Sequence, residues 1–333
     1  ITTSDLEVDG AMTAIMKESF NPNLIQTIEG NPILVHAGPF ANIAIGQSSV
    51  LADKIGIKLS DYVVTESGFG ADIGYEKFWN LKCRYSELKP DAVVIVATVR
   101  ALKMHGGGPE VKPGKKLDKA YTEENLKLLK KGCDNLIAHI KTVIKSGSNP
   151  VVCINSFYTD TENEHNLIKE IANTEGARCE VSEHWLKGGI GAIDLANAVV
   201  KAANEKNNFS FLYNREQPIK ERIEIIAHEI YNAQNIDYSD KAIQKINELE
   251  KNPDFNEMGI CMVKTHLSTT HDPNIKGAIS GWTLPIRDLS VFKGAGFIVP
   301  IAGDIKLMPG TGSNPGFRKI DINTQTGQIT GLF

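Results

Sequence analysis

The chain has 333 residues, 41% of them hydrophobic and 23% charged, with a formal net charge of -4. That length allows a large buried core and suggests two domains, or one with an appendage. The mild acidity argues against a dedicated nucleic-acid or anionic-membrane surface, and no run approaches the roughly 18 apolar residues of a membrane span. The first residues, ITTSDLEVDGAM, show no charged-then-apolar export signal, so a cytoplasmic location is expected. Starting at Ile1 with no strand before Leu6, the text reads as the continuation of something longer. Cysteines 83, 133, 153, 179 and 261 are dispersed with no CxxC spacing, which fits reduced thiols and gives no metal site.

In chain order, residues 33–36 form a short apolar strand, and 48–59 carry Val50, Leu51, Ile55 and Leu59 at helical spacing. Strands at 62–65 and 93–98, with a helix from Tyr75 between them, continue a strand–helix alternation that implies βαβ units. Leu126, Leu129, Cys133, Leu136, Ile140 and Ile144 mark the core face of a long helix. Then come a buried strand at 150–155, a helix from Asp160, a short strand at 179–181, a helix over 191–204 and a strand at 209–213. Helices over 216–231 and 240–249 precede strand-like runs at 258–264, 290–301 and 305–308, which read as a β-rich tail.

Ligands in open α/β sheets sit outside the carboxyl ends of the strands, which puts two glycine-bearing loops forward. In GFGADIG, Gly68, Gly70 and Gly74 resemble a dinucleotide fingerprint, but the last interval is one residue too long and no acidic partner follows the next strand. The loop is either a tight strand-to-helix turn or a phosphate cradle with free N–H groups near Gly74. Glu66, Asp72 and Glu76 flank it, to serve Mg²⁺ or merely to cap and solubilise. The second loop sets Arg100, Lys103 and His105 before the Gly106–Gly108 triplet, with Lys112, Lys115 and Lys116 beyond. It is either a cationic cover for a polyanion or a solvated surface loop. Phe157 and Trp185 each follow a strand, placed to sandwich a flat heteroaromatic ligand or to fill core. His36, near Pro39 and Phe40, makes either a polar contact or a packing one. No GxSxG, HExxH or GxxxxGK[ST] pattern occurs.

The segments HAGPFANIA, DYVVTESGFGADIG, VATVRALKMHGG, NSFYTDTE, SEHWLKGG and GQITGLF together resemble the formate–tetrahydrofolate ligase family, over essentially the whole chain. The resemblance implies a mostly parallel α/β sheet with helices on both faces, like phosphate-loop NTPases, plus a second α/β domain and a small β-rich one. Boundaries are expected at 1–137 (remainder of the nucleotide-binding domain), 138–238 (folate-binding) and 239–333 (C-terminal). It implies ATP, formate and tetrahydrofolate as substrates, Mg²⁺ and a monovalent cation as cofactors, and a homotetramer. Either a missing N-terminal segment or a separate N-terminal subunit would complete the chain.

Carried over, Phe157 and Trp185 match the pair stacking the pterin, with Val181 and Tyr158 beside them. Phe69 matches the aromatic at the nucleotide, and Ile73 and Gly74 the backbone at a formyl phosphate intermediate. Arg100, Lys103 and His105 lie in a signature whose individual roles the resemblance does not fix; of these, Arg100 and His105 are taken with Ile73 and Gly74 as the catalytic set. The family's GxxxxGK[ST] segment has no counterpart here, Ile45 stands where the family has histidine, and Tyr158 where it has proline. Those departures leave a rival reading, a non-catalytic relative that keeps the scaffold.

Overall fold

The computed structural model of the protein describes residues 1–38, 45–111, 116–303 and 316–331. The expected positions Pro39, Phe40, Lys112, Lys115 and the run at 305–308 lie outside them.

The chain opens with helix α1 (Asp9–Met16) and an antiparallel hairpin of strands β1 (Asn23–Gln26) and β2 (Pro32–Val35). The run at 33–36 is therefore a strand, but in an exposed hairpin rather than a buried parallel sheet. Helix α2 (Val50–Leu59) follows, capped by the Ser49 hydroxyl. Residues 62–65 form no strand: no neighbouring strand among the described residues satisfies them, and Val64 is 92% exposed. A continuous helix then starts at Ala71, earlier than the expected Tyr75. It is π-wound over Ala71–Tyr75 and Phe78–Lys82 and ends in α3 (Cys83–Ser86). Such wide turns recur at functional sites.

Strand β3 (Ala92–Ala97) leads into α4 (Val99–His105), α5 (Lys119–Thr122) and the long α6 (Leu126–Lys145). Strand β4 (Asn149–Asn155), α7 (Glu162–Thr174) and β5 (Arg178–Ser182) come next. The three strands form a parallel sheet in the order β3-β4-β5. Val152 and Ile154 face α6 and α7, packing with Leu129, Cys133, Leu136, Ile140 and Ile168. Asn149, of the opposite parity, donates to the Ala202 carbonyl, which places α9 on the other face. That helix (Ile193–Ala203) follows the short α8 (His184–Lys187). Helices therefore cover both faces, as the apolar strands require.

The second sheet is mixed. Helix α10 (Ile219–Glu229), strand β6 (Ala233–Tyr238), α11 (Asp240–Glu250), β7 (Gly259–Ile260), β8 (Trp282–Phe292) and β9 (Phe297–Ala302) build it, in the order β6-β8-β9-β7. β6 and β7 run parallel to their neighbours, and β8 and β9 pair antiparallel. The run expected at 290–301 is thus the bend of a hairpin, turned at Lys293–Ala295. Residues 209–213, expected as a strand, are irregular and instead supply Tyr213 to the core. A second hairpin, β10 (Asp321–Ile322) with β11 (Ile329–Thr330), closes the described chain. The two larger sheets share an interior: Tyr75, Trp79, Ile223, Ile226, Leu284 and Ile298 form one cluster, and Val93 and Ile95 of β3 pack against it. Among the described residues no helix is long and apolar enough to cross a membrane.

Candidate functional site

The carboxyl ends of β3, β4 and β5 lie side by side and launch three of the expected residues. Thr98 follows β3 directly and caps α4, its hydroxyl accepting from the Ala101 N–H, which places Arg100 in the first helical turn. Residues 99–105 are therefore helix rather than loop. The Arg100 guanidinium lies 4.3 Å from the centroid of the Phe157 ring and donates to the Thr159 hydroxyl at 3.2 Å. Its Nε is buried and has no hydrogen-bond partner among the described residues. A cation over an aromatic face gains from the ring quadrupole and orients both groups. Strand pairing runs one residue past β4, the Ser156 N–H donating to the Ser182 carbonyl at 3.0 Å. Phe157 and Trp185 thus leave adjacent strand ends. Phe157 is 37% exposed, Trp185 90% and Tyr158 93%; Leu186, Ile190 and Ile193 add exposed apolar surface nearby in sequence. Neither ring fills core. Val181 differs: it pairs with Ile154 inside the sheet and packs against the α6–α7 cluster.

The remaining expected residues gather around the Gly68–Gly74 turn. A Cβ on Gly74 would stand 1.9 Å from the Gly68 carbonyl oxygen, so only glycine lets the turn close on itself. The Ile73 and Gly74 N–H groups both donate to the Gly70 carbonyl, at 3.0 and 2.9 Å. This corrects the expectation of free N–H groups at Gly74, because the helix has already begun at Ala71. Phe69 takes a positive φ of 66° and stacks on His266, centroids 4.4 Å apart at 19°. Burial, with the charges of Lys264 and Lys276, holds the His266 imidazole below its ordinary value and so keeps the stacked ring neutral.

Asp72 and Glu76 do not solubilise the loop; both are buried. Asp72 Oδ2 accepts from Lys264 Nζ at 2.6 Å, and His139 Nδ1 lies 4.0 Å from Oδ1. Burial pushes the Asp72 carboxyl up, but Lys264 and His139 outweigh it and hold the group below the usual carboxylate range. Burial pushes Glu76 up to about 7, opposed by Lys77 and by a 3.1 Å hydrogen bond from Asn80.

His105, in the last turn of α4, accepts through Nδ1 from the Gly277 N–H at 3.1 Å, which puts the proton on Nε2. Burial lowers it to about 4, with the nearby His139 and Lys276 adding to the effect, so it is neutral at pH 7. Lys103 faces no polyanion: its Nζ meets Glu164 Oε1 at 2.6 Å and the Glu123 carbonyl at 2.8 Å, fully buried. The glycine triplet is not a free loop either. Cβ atoms on Gly106 and Gly132 would lie 2.1 and 1.7 Å from the carbonyls of Leu128 and Leu102, so these two glycines let α4 and α6 touch backbone to backbone. His36 makes polar contacts, with Ser49 Oγ at 2.7 Å and the Ser19 carbonyl at 2.9 Å.

Two groups of residues result, Arg100 with Phe157 and Tyr158, with Trp185 at the neighbouring strand end, and His105 near Asp72 of the Gly68–Gly74 turn. The seven-residue α4 carries Arg100 at one end and His105 at the other, about 7.5 Å apart along its axis. Lys264, His266 and His139 escaped the sequence reading. Lys264 follows the apolar run CMV, and a buried cation after such a run is the one hint the text offers.

The architecture is that of an α/β protein with aromatic and cationic groups at neighbouring strand ends of its parallel sheet. The formate–tetrahydrofolate ligase family model matches residues 1–333, and the chain belongs to that family. It is 59% identical over its full length to the formate–tetrahydrofolate ligase of Desulfotalea psychrophila, covering 60% of that protein. Against the ligases of Dehalococcoides mccartyi and Lawsonia intracellularis it is 61% identical over its full length, covering 56% of each. The chain therefore spans little more than half the length of these curated relatives.

Proposed function

We propose that the chain forms the folate-stacking and acyl-phosphate-facing portion of an enzyme that ligates formate to tetrahydrofolate at the expense of ATP. The observation that carries this reading is Arg100 stacked on Phe157, with an exposed Trp185 following the neighbouring strand, in a chain of the ligase family. In it, Phe157 and Trp185 close on the pterin, with Tyr158 and Val181 beside them, and Phe69 meets the nucleotide. Formate oxygen takes the γ-phosphoryl group of ATP, giving formyl phosphate and ADP. The folate amine then attacks the formyl carbon, phosphate leaves with the electrons of the C–O bond, and the amine gives up its proton to the departing phosphate or solvent, yielding 10-formyltetrahydrofolate.

Such chemistry rests on positioning and charge neutralisation rather than on a side-chain nucleophile. Arg100 supplies fixed positive charge, neutral His105 can donate through Nε2, and the rigid turn presents Ile73 and Gly74. Among the described residues no three His, Cys, Asp or Glu side chains converge as metal ligands. Mg²⁺ is commonly held by substrate phosphates and one or two carboxylates, so this reading carries it with ATP and routes no step through it. The monovalent cation, a homotetramer, a cytoplasmic location, a phosphate-loop type of nucleotide domain over 1–137, a folate domain over 138–238 and a C-terminal domain over 239–333 belong to the same proposal. The phosphate-binding loop would lie in the part of its relatives that the chain does not span, whether joined to it or as a separate subunit.

Ile45 favours the alternative, a non-catalytic folate- or nucleotide-binding relative, because it packs against the apolar cluster of Leu81, Cys261 and Val263 where a polar group was expected. Tetrahydrofolate should quench Trp185 fluorescence under both readings. Trp185→Ala should weaken folate binding by about 1–3 kcal/mol, the scale of base–aromatic stacking losses. An unchanged affinity removes the stacking assignment. Formate-dependent ADP release on adding the uncovered portion of a relative supports the ligase; quenching without any release supports the alternative.

A further inference from the structure

The Gly68–Gly74 turn closes on itself through Gly70 and Gly74 and is anchored at its start by the Gly68 N–H donating to the Gly46 carbonyl at 3.2 Å, while one segment, residues 264–268, holds both its Phe69 ring and its Asp72 carboxylate. Lys264 is fully buried, and its Nζ donates to Asp72 Oδ2 at 2.6 Å, to the Ser268 carbonyl at 2.6 Å and to the Thr265 carbonyl at 3.2 Å. Those three bonds use every N–H it has. The Tyr231 ring, 5.0 Å from Nζ, and His139, 4.0 Å from Asp72, complete the surroundings. Two residues on, His266 stacks on Phe69, which it meets at the other end of the turn. Phe69 holds a left-handed backbone that a residue with a Cβ rarely adopts, and such a conformation persists only where neighbours impose it.

We propose that Lys264 and His266 are positioning residues that act as a two-point brace. Lys264 pins the turn through the Asp72 carboxylate, and His266 pins it through the Phe69 ring. Together they fix where that ring, Ile73 and the Gly74 backbone stand. The pinning rests on the geometry alone; what the pinned turn presents itself to rests on the ligase reading above.

Hydrogen–deuterium exchange on the chain as it stands tests the brace, comparing wild type with Lys264→Met and His266→Leu. In Lys264→Met, peptides covering Gly68 to Gly74 should exchange at least about ten-fold faster, because Asp72 loses its buried counter-charge, while α6 peptides keep their protection. In His266→Leu the acceleration should centre on Phe69 and Gly70. Unchanged exchange at 68–74 in both variants overturns the brace. If Lys264→Met also loosens α6, His266→Leu alone decides: faster exchange at Phe69 supports the brace, none overturns it. With the uncovered portion of a relative supplied, both variants should lower kcat for ADP release several-fold with KM for tetrahydrofolate unchanged. If the wild type releases no ADP while the two variants still show these exchange changes, the ligase reading sinks and the brace stands.

Discussion

A carboxyl buried away from solvent is a poor anion, and Glu76, fully buried with a hydrogen bond from Asn80, is in that position, one helical turn beyond Asp72. Its folded value of about 7 lies above the ordinary 4.5. A raised value stabilises the fold fully below about pH 4.5, and that contribution disappears as pH rises through 7. Thermal melts at pH 5 and pH 8 should therefore show wild type losing a few degrees more than Glu76→Gln does; equal losses would show that the side chain is not titrating in this range. Gly74 offers a sharper case. Gly74→Ala drives a methyl into the Gly68 carbonyl, so melting should fall by several degrees and the 68–74 peptides should lose protection; native-like melting would show that the turn can open. That Phe157 and Trp185 follow neighbouring strand ends was legible because each comes just after an apolar run that forms a strand. The role of Lys264 was not, since nothing in its spacing announces a partner 192 positions earlier.

At the scale of elements, the parallel β3–β5 sheet and α6 were readable because apolar runs and helical periodicity encode burial directly. The glycine triplet misled: glycine permits mobility, but here Gly106 serves close packing of α4 on α6, and only the partner helix reveals which. Lys103 shows what locks that contact. It pairs with Glu164, which also closes a capping box with Thr161 at the start of α7 and accepts from the Asn125 N–H at the start of α6. Lys103→Met strands a buried carboxylate at the junction of three helices. Removing one partner of such a pair costs about 3–5 kcal/mol, measurable as a lower urea midpoint; a change under about 1 kcal/mol would mean that Glu164 is adequately held by its remaining bonds. Residues 62–65 failed in the opposite direction, since an apolar run makes a strand only if a neighbour offers its backbone.

For the whole molecule, the second sheet was the least legible part. β6, with the sequence AQNIDY, lacks the apolar run of a buried strand, and the β8–β9 hairpin hides its turn inside a continuous apolar stretch. The exposure of Val94 and Val96 on β3, an edge strand among the described residues, fits a chain that spans just over half the length of its relatives. Supplying the remainder of a relative should lower binding of a hydrophobic dye to this chain by at least about half; undiminished dye binding would mean that the strip stays open in the complete assembly.

All five cysteines are buried thiols; burial pushes Cys83, Cys133 and Cys179 up to about 12 and raises Cys153 and Cys261 as well. They amount to an internal tracer of how the protein comes apart. Cys133 and Cys179 belong to the layer between the parallel sheet and its helices, and Cys261 to the cluster of the mixed sheet. An alkylating reagent applied in rising denaturant would mark these layers together if the two sheets melt as one unit, and in succession if they do not.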